Sequence, residues 1–334
     1  MASNEQMQKS DYSLDKNDRI ILSLLDKNCR TASLEIGKTL SITRQAVEYR
    51  IKRMQSHGVI RGFNATFNAT KIGFELYKFH FNLRDIPHKK SEFLEYLQSV
   101  GNVYWFGESL GRWNMLVGLL YKDYSELLPI IEEIMSKFRS LIINHETRKL
   151  VEILQFPKMY FTGERVKPSQ YAGAVSNLQL DELNYQLLFQ LVADARKPIS
   201  EIARELNSTA SIVKTRLKKL ETTGIINQYR ISVDLDKIGR QHWKTLISFD
   251  QYSRERHAQL IDFISNYPSL MYHVRNLWSI ELEFAVKSFE EYDAIIYEVI
   301  KRFPNLIKGI ESLQIIQSSW TPGVQNIVKQ KHGH

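Results

Sequence analysis

Apolar residues at Ile20, Ile21, Leu24 and Leu25 recur at i, i+1, i+4 and i+5, a spacing that predicts an amphipathic helix over Asp15–Asp26. A second, short helix is predicted over Ser33–Leu40, with Leu34, Ile36 and Leu40 inward. Ser41-Ile42-Thr43 then turns the chain into a third helix, Arg44–His57, on which Val47, Ile51 and Met54 share one face. Thr43 suits the N-cap, because its hydroxyl can accept from backbone amides that the first helical turn leaves unpaired. Gly58 suits the stop, since it tolerates the positive φ on which many helices end. Two helices joined by so short a turn describe a helix-turn-helix, whose later helix enters the major groove of DNA.

Beyond this unit the pattern shifts to strands and helices in the order β-α-β-β-α-β: Glu75–Leu83, Lys89–Ser99, Asn102–Ser109, Arg112–Tyr121, Tyr124–Phe138 and Ile142–Leu154. That order predicts a ferredoxin-like sandwich. The whole arrangement then recurs. Sliding the chain by 166 residues lays Leu14–Gly73 on Leu180–Gly239 without a gap, matching Arg30 with Arg196, Val47 with Val213, Arg50 with Arg216 and Gly58 with Gly224. Further on the offset slips to 165, pairing Trp113 with Trp278 and Phe138 with Phe303. The second copy of the α/β pattern runs through His242–Asp250, Arg254–Asn266, Leu270–Arg275, Trp278–Val286, Phe289–Phe303 and Ile307–Gln317. A constant offset over so long a stretch marks a duplication.

The predicted fold is therefore α+β, in two tandem units, each a helix-turn-helix (winged-helix-like) domain followed by a ferredoxin-like βαββαβ domain. The expected boundaries are a polar tail over 1–12, helix-turn-helix domains over 13–62 and 179–228, α/β domains over 63–161 and 229–320, and a C-terminal tail over 321–334. Thr162–Leu178, rich in Gly, Pro, Ser and Ala without apolar periodicity, is read as a flexible linker.

Charge sharpens this picture. The chain carries a formal +8 at pH 7 across 334 residues, a balance that favours anionic partners. Ser13–Gly62 holds ten basic residues against five acidic ones, whereas Gln179–Arg230 holds eight against six. Because neutralising phosphates dominates affinity for DNA, copy one is expected to bind more strongly. With Val47, Ile51 and Met54 inward, the third helix turns Arg44, Gln45, Glu48, Tyr49 and Lys52 outward. Arg44 matches guanine, Gln45 adenine and Glu48 the cytosine amino group, while Arg50, Lys52 and Arg53 lie further along, where phosphates pass. Copy two repeats the scaffold with Thr209 as cap, and offers Ser211, Lys214, Thr215, Arg216 and Lys218.

Other chemistry is thinly represented. A single cysteine, Cys29, excludes an intrachain disulfide and a cysteine-based zinc site, and a buried role as filler is expected for it. No metal or cofactor is expected: no P-loop, Rossmann, HExxH or GxSxG pattern occurs, and His332 and His334 fall in the C-terminal tail. No apolar run approaches the roughly 18 residues of a membrane span, and the polar N-terminus lacks a signal-peptide core, so a cytoplasmic protein is expected.

The run LDKNDRIILSLLDKNCR, continuing through TRQAVEYRIKRMQSHGVI to a KIG turn and the α/β pattern, resembles the Lrp/AsnC (feast/famine) regulators. The second half, from LDELNYQLLFQLVADARKPISEIARELN onward, resembles them too. The resemblance implies double-stranded DNA as partner through the helix-turn-helix, Thr43 and its neighbours included. It also implies pairing and homo-oligomer formation through the α/β domains, and small-molecule effectors such as amino acids. Members usually carry one copy, so the two α/β domains here are expected to pair within the chain as a pseudo-dimer. The family commonly has Gly-x-aromatic-Asp opening its third strand near the effector site. Here that motif reads Gly111-Arg112-Trp113-Asn114 and Asn276-Leu277-Trp278-Ser279, so the aspartate is absent from both. Gly111, Trp113, Asn114, Trp278 and Ser279 are the corresponding effector-site candidates, with core or interface packing the alternative for the two tryptophans. Two other functions remain open: a siroheme decarboxylase-like enzyme of the same architecture, for which Tyr272-His273-Val274-Arg275 supplies candidate groups, and an effector-binding module without DNA binding.

Overall fold

The computed structural model describes residues 12–320; the two tails, His332 and His334 with them, otherwise lie outside the described residues. Copy one opens with α1 (Lys16–Lys27), α2 (Ser33–Leu40) and α3 (Arg44–Ser56), followed by β1 (Ile60–Phe67). Its α/β part comprises β2 (Glu75–Leu83), α4 (Pro87–Ser99), β3 (Val103–Leu110), β4 (Met115–Tyr121), α5 (Tyr124–Lys137) and β5 (Ile142–Gln155). After a short strand, β6 (Ser169–Ala172), copy two repeats the order. It contains α6 (Glu182–Ala193), α7 (Ile199–Glu205), α8 (Ala210–Thr222), β7 (Ile226–Val233), β8 (Gln241–Phe249), α9 (Arg254–Ile264), β9 (Leu270–Asn276), β10 (Ser279–Val286), α10 (Phe289–Arg302) and β11 (Ile307–Trp320).

The caps behave as their chemistry requires. Asp15 accepts from the Asp18 amide while Asp18 accepts from the Asp15 amide, a reciprocal box that fixes the start of α1. Gly58 and Gly224 follow α3 and α8 at φ +72° and +70°, where a side chain would be strained.

Each α/β part has strand order 4-1-3-2: β5-β2-β4-β3 in copy one and β11-β8-β10-β9 in copy two. The two sheets join at both edges. The C-terminal part of β5 pairs with β9, and that of β11 pairs with β3, each after a bulge at an equivalent place, Leu150/Glu152 and Ile315/Gln317. The eight strands thereby close into one barrel, and the pseudo-dimer expected from the duplication forms inside a single chain. Helices cover the outside: Phe79 and Phe81 pack toward Phe93 and Phe138 in one half, Leu282 and Phe284 with Tyr292 and Val299 in the other.

A second join lies between the helix-turn-helix units. β1 and β7 pair antiparallel, with Asn64 opposite Arg230. Arg30 donates to the Ala195 carbonyl and its duplicate Arg196 to the Cys29 carbonyl, while the Cys29 and Ala195 amides reach Tyr229 and Phe63. Beneath them the buried Asp26 of α1 takes Arg230 of β7 and Lys158, the latter at 2.7 Å. Burial opposes the charge on Asp26, yet Arg230 and Lys158 hold its carboxyl down to about 2.

Three expectations from sequence need correction. Tyr12, placed in the polar tail, is buried and donates its hydroxyl to Asp18 at 2.9 Å. Leu34 is exposed, because Ile36 and the half-buried Leu40 already fill the inward side of so short a helix. The segment read as a flexible linker carries β6, whose backbone completes the edge of β5 and whose Ala172 is buried. Strands β1 and β7 were missed; the alternations Phe63-x-Ala65-x-Phe67 and Tyr229-x-Ile231 carried their signal.

Candidate nucleic-acid interface

Helix α3 is set by three features of its sequence. Thr43 accepts from the Ala46 amide at 3.1 Å, and Val47, Ile51 and Met54 are buried. The remaining positions must face solvent. Arg44, Gln45, Tyr49, Lys52 and Arg53 are exposed, with Glu48 half-buried among them. The Arg44 Nε donates to Glu48 at 2.7 Å, a pair one turn apart that steers the guanidinium along the helix. Tyr49 is 65% exposed, an aromatic ring offered outward where no packing holds it. Arg53 lies over the Tyr12 ring at 4.9 Å.

Helix α8 is built alike. Thr209 accepts from the Ile212 amide at 3.2 Å, and Val213, Leu217 and Leu220 are buried. Ser211, Lys214, Thr215 and Lys218 are exposed, as expected, although the Thr215 hydroxyl is turned back onto the Ser211 carbonyl at 3.0 Å. An open cleft of about 640 Å³ runs between α6 and α8, lined in part by Asp181, Asn184, Ile212 and Lys219. Nothing in the sequence pattern signalled it.

Two of the expected phosphate contacts are placed elsewhere. Arg50 donates to Asp15 at 2.6 Å and to Asp18 at 2.8 Å, and Arg216 donates to Asp181 at 2.6 Å. Each arginine sits three residues after one buried position and four before another, at the margin of the packed face. The carboxylates at the start of the first helix therefore reach it. Burial works against the Asp15 charge, but the Asp18 amide and Arg50 hold its carboxyl below the usual range.

The effector-site candidates do not gather into one open site. Trp113 is 2% exposed, its indole donating to Glu311 of the other copy at 3.0 Å. Asn114 is spent on the Leu83 backbone, accepting at 2.8 Å and donating at 2.9 Å. Gly111 has φ +132°, and a Cβ there would meet Leu313 at 2.5 Å. Ser279 is bonded to Asn276 at 2.7 Å. Trp278 is 85% exposed, so packing in the core holds for Trp113 only. The Tyr272-His273-Val274-Arg275 stretch is likewise dispersed: Tyr272 meets Gln155 at 2.7 Å, while His273 is buried beside His257, with ring centroids 5.5 Å apart. Cys29 is buried, which pushes its thiol up to about 12.

No described helix is long and apolar enough to cross a membrane, and no described cluster of His, Cys, Asp and Glu is arranged to hold a metal ion. Residues 14–61 match the winged helix-turn-helix DNA-binding family, and residues 180–221 match the AsnC-type helix-turn-helix domain. The HTH-type transcriptional regulator Ptr1 of Methanocaldococcus jannaschii is 31% identical over 120 residues, covering 36% of this chain and 80% of the relative. LrpA of Pyrococcus abyssi is 32% identical over 124 residues, covering 37% and 87%. Each relative thus corresponds in length to one unit of the duplication. Among solved structures, the siroheme decarboxylase NirDL aligns over 95% of this chain and 98% of its own, with a TM-score of 0.63 and 11% identity. That likeness concerns the two-unit fold.

Proposed function

The chain belongs to the Lrp/AsnC family of transcriptional regulators, and from that premise we propose that it binds double-stranded DNA sequence-specifically, with α3 as the reading helix. The observation that carries this reading is the exposed row on α3, Arg44, Gln45, Tyr49, Lys52 and Arg53, beginning at the capped end that enters a major groove. Arg44, Gln45 and Glu48 meet base edges, and Lys52 and Arg53 meet phosphates. Copy two adds backbone contacts through Ser211, Lys214 and Lys218, and its smaller side chains read little sequence. Arg50 and Arg216 serve the scaffold.

The chain acts as a regulator and not as an enzyme in this reading. Its relatives carry regulator names, and inside the barrel the buried Lys78 and Lys244 lie over the buried Trp105 ring. The test is selection of genomic fragments by the purified protein beside an Arg44→Ala/Lys52→Ala variant. A short shared motif, lost in the variant, is expected; absence of any motif with the unaltered chain would overturn the reading. Affinity should also fall with salt at a log–log slope of about −0.9 for each phosphate neutralised. A change in tetrapyrrole absorbance on adding siroheme would instead favour decarboxylase chemistry.

A further inference from the structure

We propose that the two halves of this chain, 13–161 and 179–320, are built to recognise each other and to reject copies of themselves, and that two buried ion networks make the selection. The first lies inside the barrel. Lys78 of half one donates to Glu281 of half two at 2.6 Å, and Lys244 donates to Glu281 at 3.0 Å and to Glu283. All four side chains are nearly or fully buried, and both ammonium groups lie over the Trp105 ring, at 5.7 and 5.5 Å.

Strand register fixes the corresponding positions. Lys78 stands opposite Gly118 as Lys244 stands opposite Glu283, and His80 opposite Leu116 as Leu246 stands opposite Glu281. Both halves therefore hold the lysine, but half one has Leu116 and Gly118 where half two has the two carboxylates. Half one brings a single positive charge to the interior, and half two a single net negative one. Only the mixed pair cancels. Two copies of half one would bury two ammonium groups without a carboxylate; two copies of half two would bury two surplus carboxylates. A buried charge left uncompensated is costly enough to decide between assemblies. Half one cannot simply acquire the second carboxylate, because a Cβ on Gly118 would lie 2.6 Å from the Tyr104 ring.

The second network, between the helix-turn-helix units, acts against pairs of second halves. Asp26 of half one pairs with Arg230 of half two, both buried, and with Lys158 of its own half. The duplicates of Asp26 and Arg230 are Val192 and Asn64. A pair of first halves would set Asp26 against Asn64 but leave it Lys158 of its own half, whereas a pair of second halves would leave Arg230 against Val192 with no carboxylate. The barrel face of each half thus fits a partner of opposite buried charge, Arg230 needs the Asp26 carboxylate, and the other half of this chain supplies both.

The test uses the full chain with a protease site in place of 164–167, cleaved after folding, unfolded in urea and refolded by dilution. Native mass spectrometry then separates the three possible pairings by mass. The unaltered halves should return as the mixed pair alone. A chain with Lys78→Met, Lys244→Met, Glu281→Leu, Glu283→Leu and Arg230→Asn should return like pairs as well, approaching the statistical share of about half. Like pairs at that share from the unaltered halves would overturn the proposal, as would strict mixed pairing in the variant. Uncleaved chains give a second readout. Lys78→Met and Glu281→Leu should each lower the urea midpoint, and the double variant should lie above either single one; additive losses would overturn the charge-balance argument.

Discussion

In copy one Thr43 caps α3 and Val47, Ile51 and Met54 are buried; in copy two Thr209 caps α8 and Val213, Leu217 and Leu220 are buried. Arg50 and Arg216 even return to equivalent aspartates, Asp15 and Asp181, at the start of each copy's first helix. What separates the copies is what they turn outward: Arg44, Gln45, Tyr49 and Arg53 on α3, against Ala210, Ser211, Thr215 and Lys219 on α8. The hairpins diverge the same way, since Trp113 is buried on Glu311 whereas Trp278 stands in solvent. The scaffold tolerates little change because it is close-packed, while outward positions are free to diverge in function.

The largest expected effect sets the two hairpins apart. Trp113→Ala should cost about 3–5 kcal/mol in urea unfolding, as expected for a large aromatic removed from a core. Trp278→Ala should stay within about 0.5 kcal/mol, the range of an exposed substitution. Equal losses would mean that Trp278 is packed in solution.

The reading helices come next. Arg44→Ala should weaken binding to a selected operator by about ten- to a hundredfold, if its guanidinium meets a guanine. Lys214→Ala should weaken binding by about threefold or less and lower the salt slope by about one phosphate's worth. Equal effects on sequence discrimination would erase the proposed asymmetry.

Acid should then weaken both halves through buried histidines. Burial pushes His80 down to about 4 in half one, and His257 and His273 to about 4 and 3 in half two. The unfolded chain takes up these protons near its ordinary value of about 6.5. Stability is therefore full above that value and is lost as pH falls from about 6.5 through about 4, and on through about 3 for His273. His273→Phe should flatten the dependence of the urea midpoint over this window; an unchanged slope would show that His273 does not contribute to it. Asp26 remains charged throughout that range.

The smallest difference is expected at the caps. Thr43→Ala and Thr209→Ala should each cost about 1 kcal/mol, with no distinction between copies. A cap that mattered in one copy only would break the equivalence of the scaffolds.

Much of this was legible in the chain. The duplication, the helix-turn-helix and its caps, and the order of elements in both α/β parts follow from local periodicity and self-similarity, because α2 and β2 end where side-chain spacing alone places them. The outward row on α3 was legible too, as the complement of Val47, Ile51 and Met54. Arg50 was not, since only the fold brings Asp15 and Asp18 to it. Nor were the pairing of β1 with β7, the capture of residues 169–172 by β5, or the meeting of Lys78 with Glu281 across 203 positions. Short-range spacing determines which elements form and which face each buries. Which buried faces meet is decided by shape and charge between segments far apart in sequence, and that selection exists only once the barrel has closed.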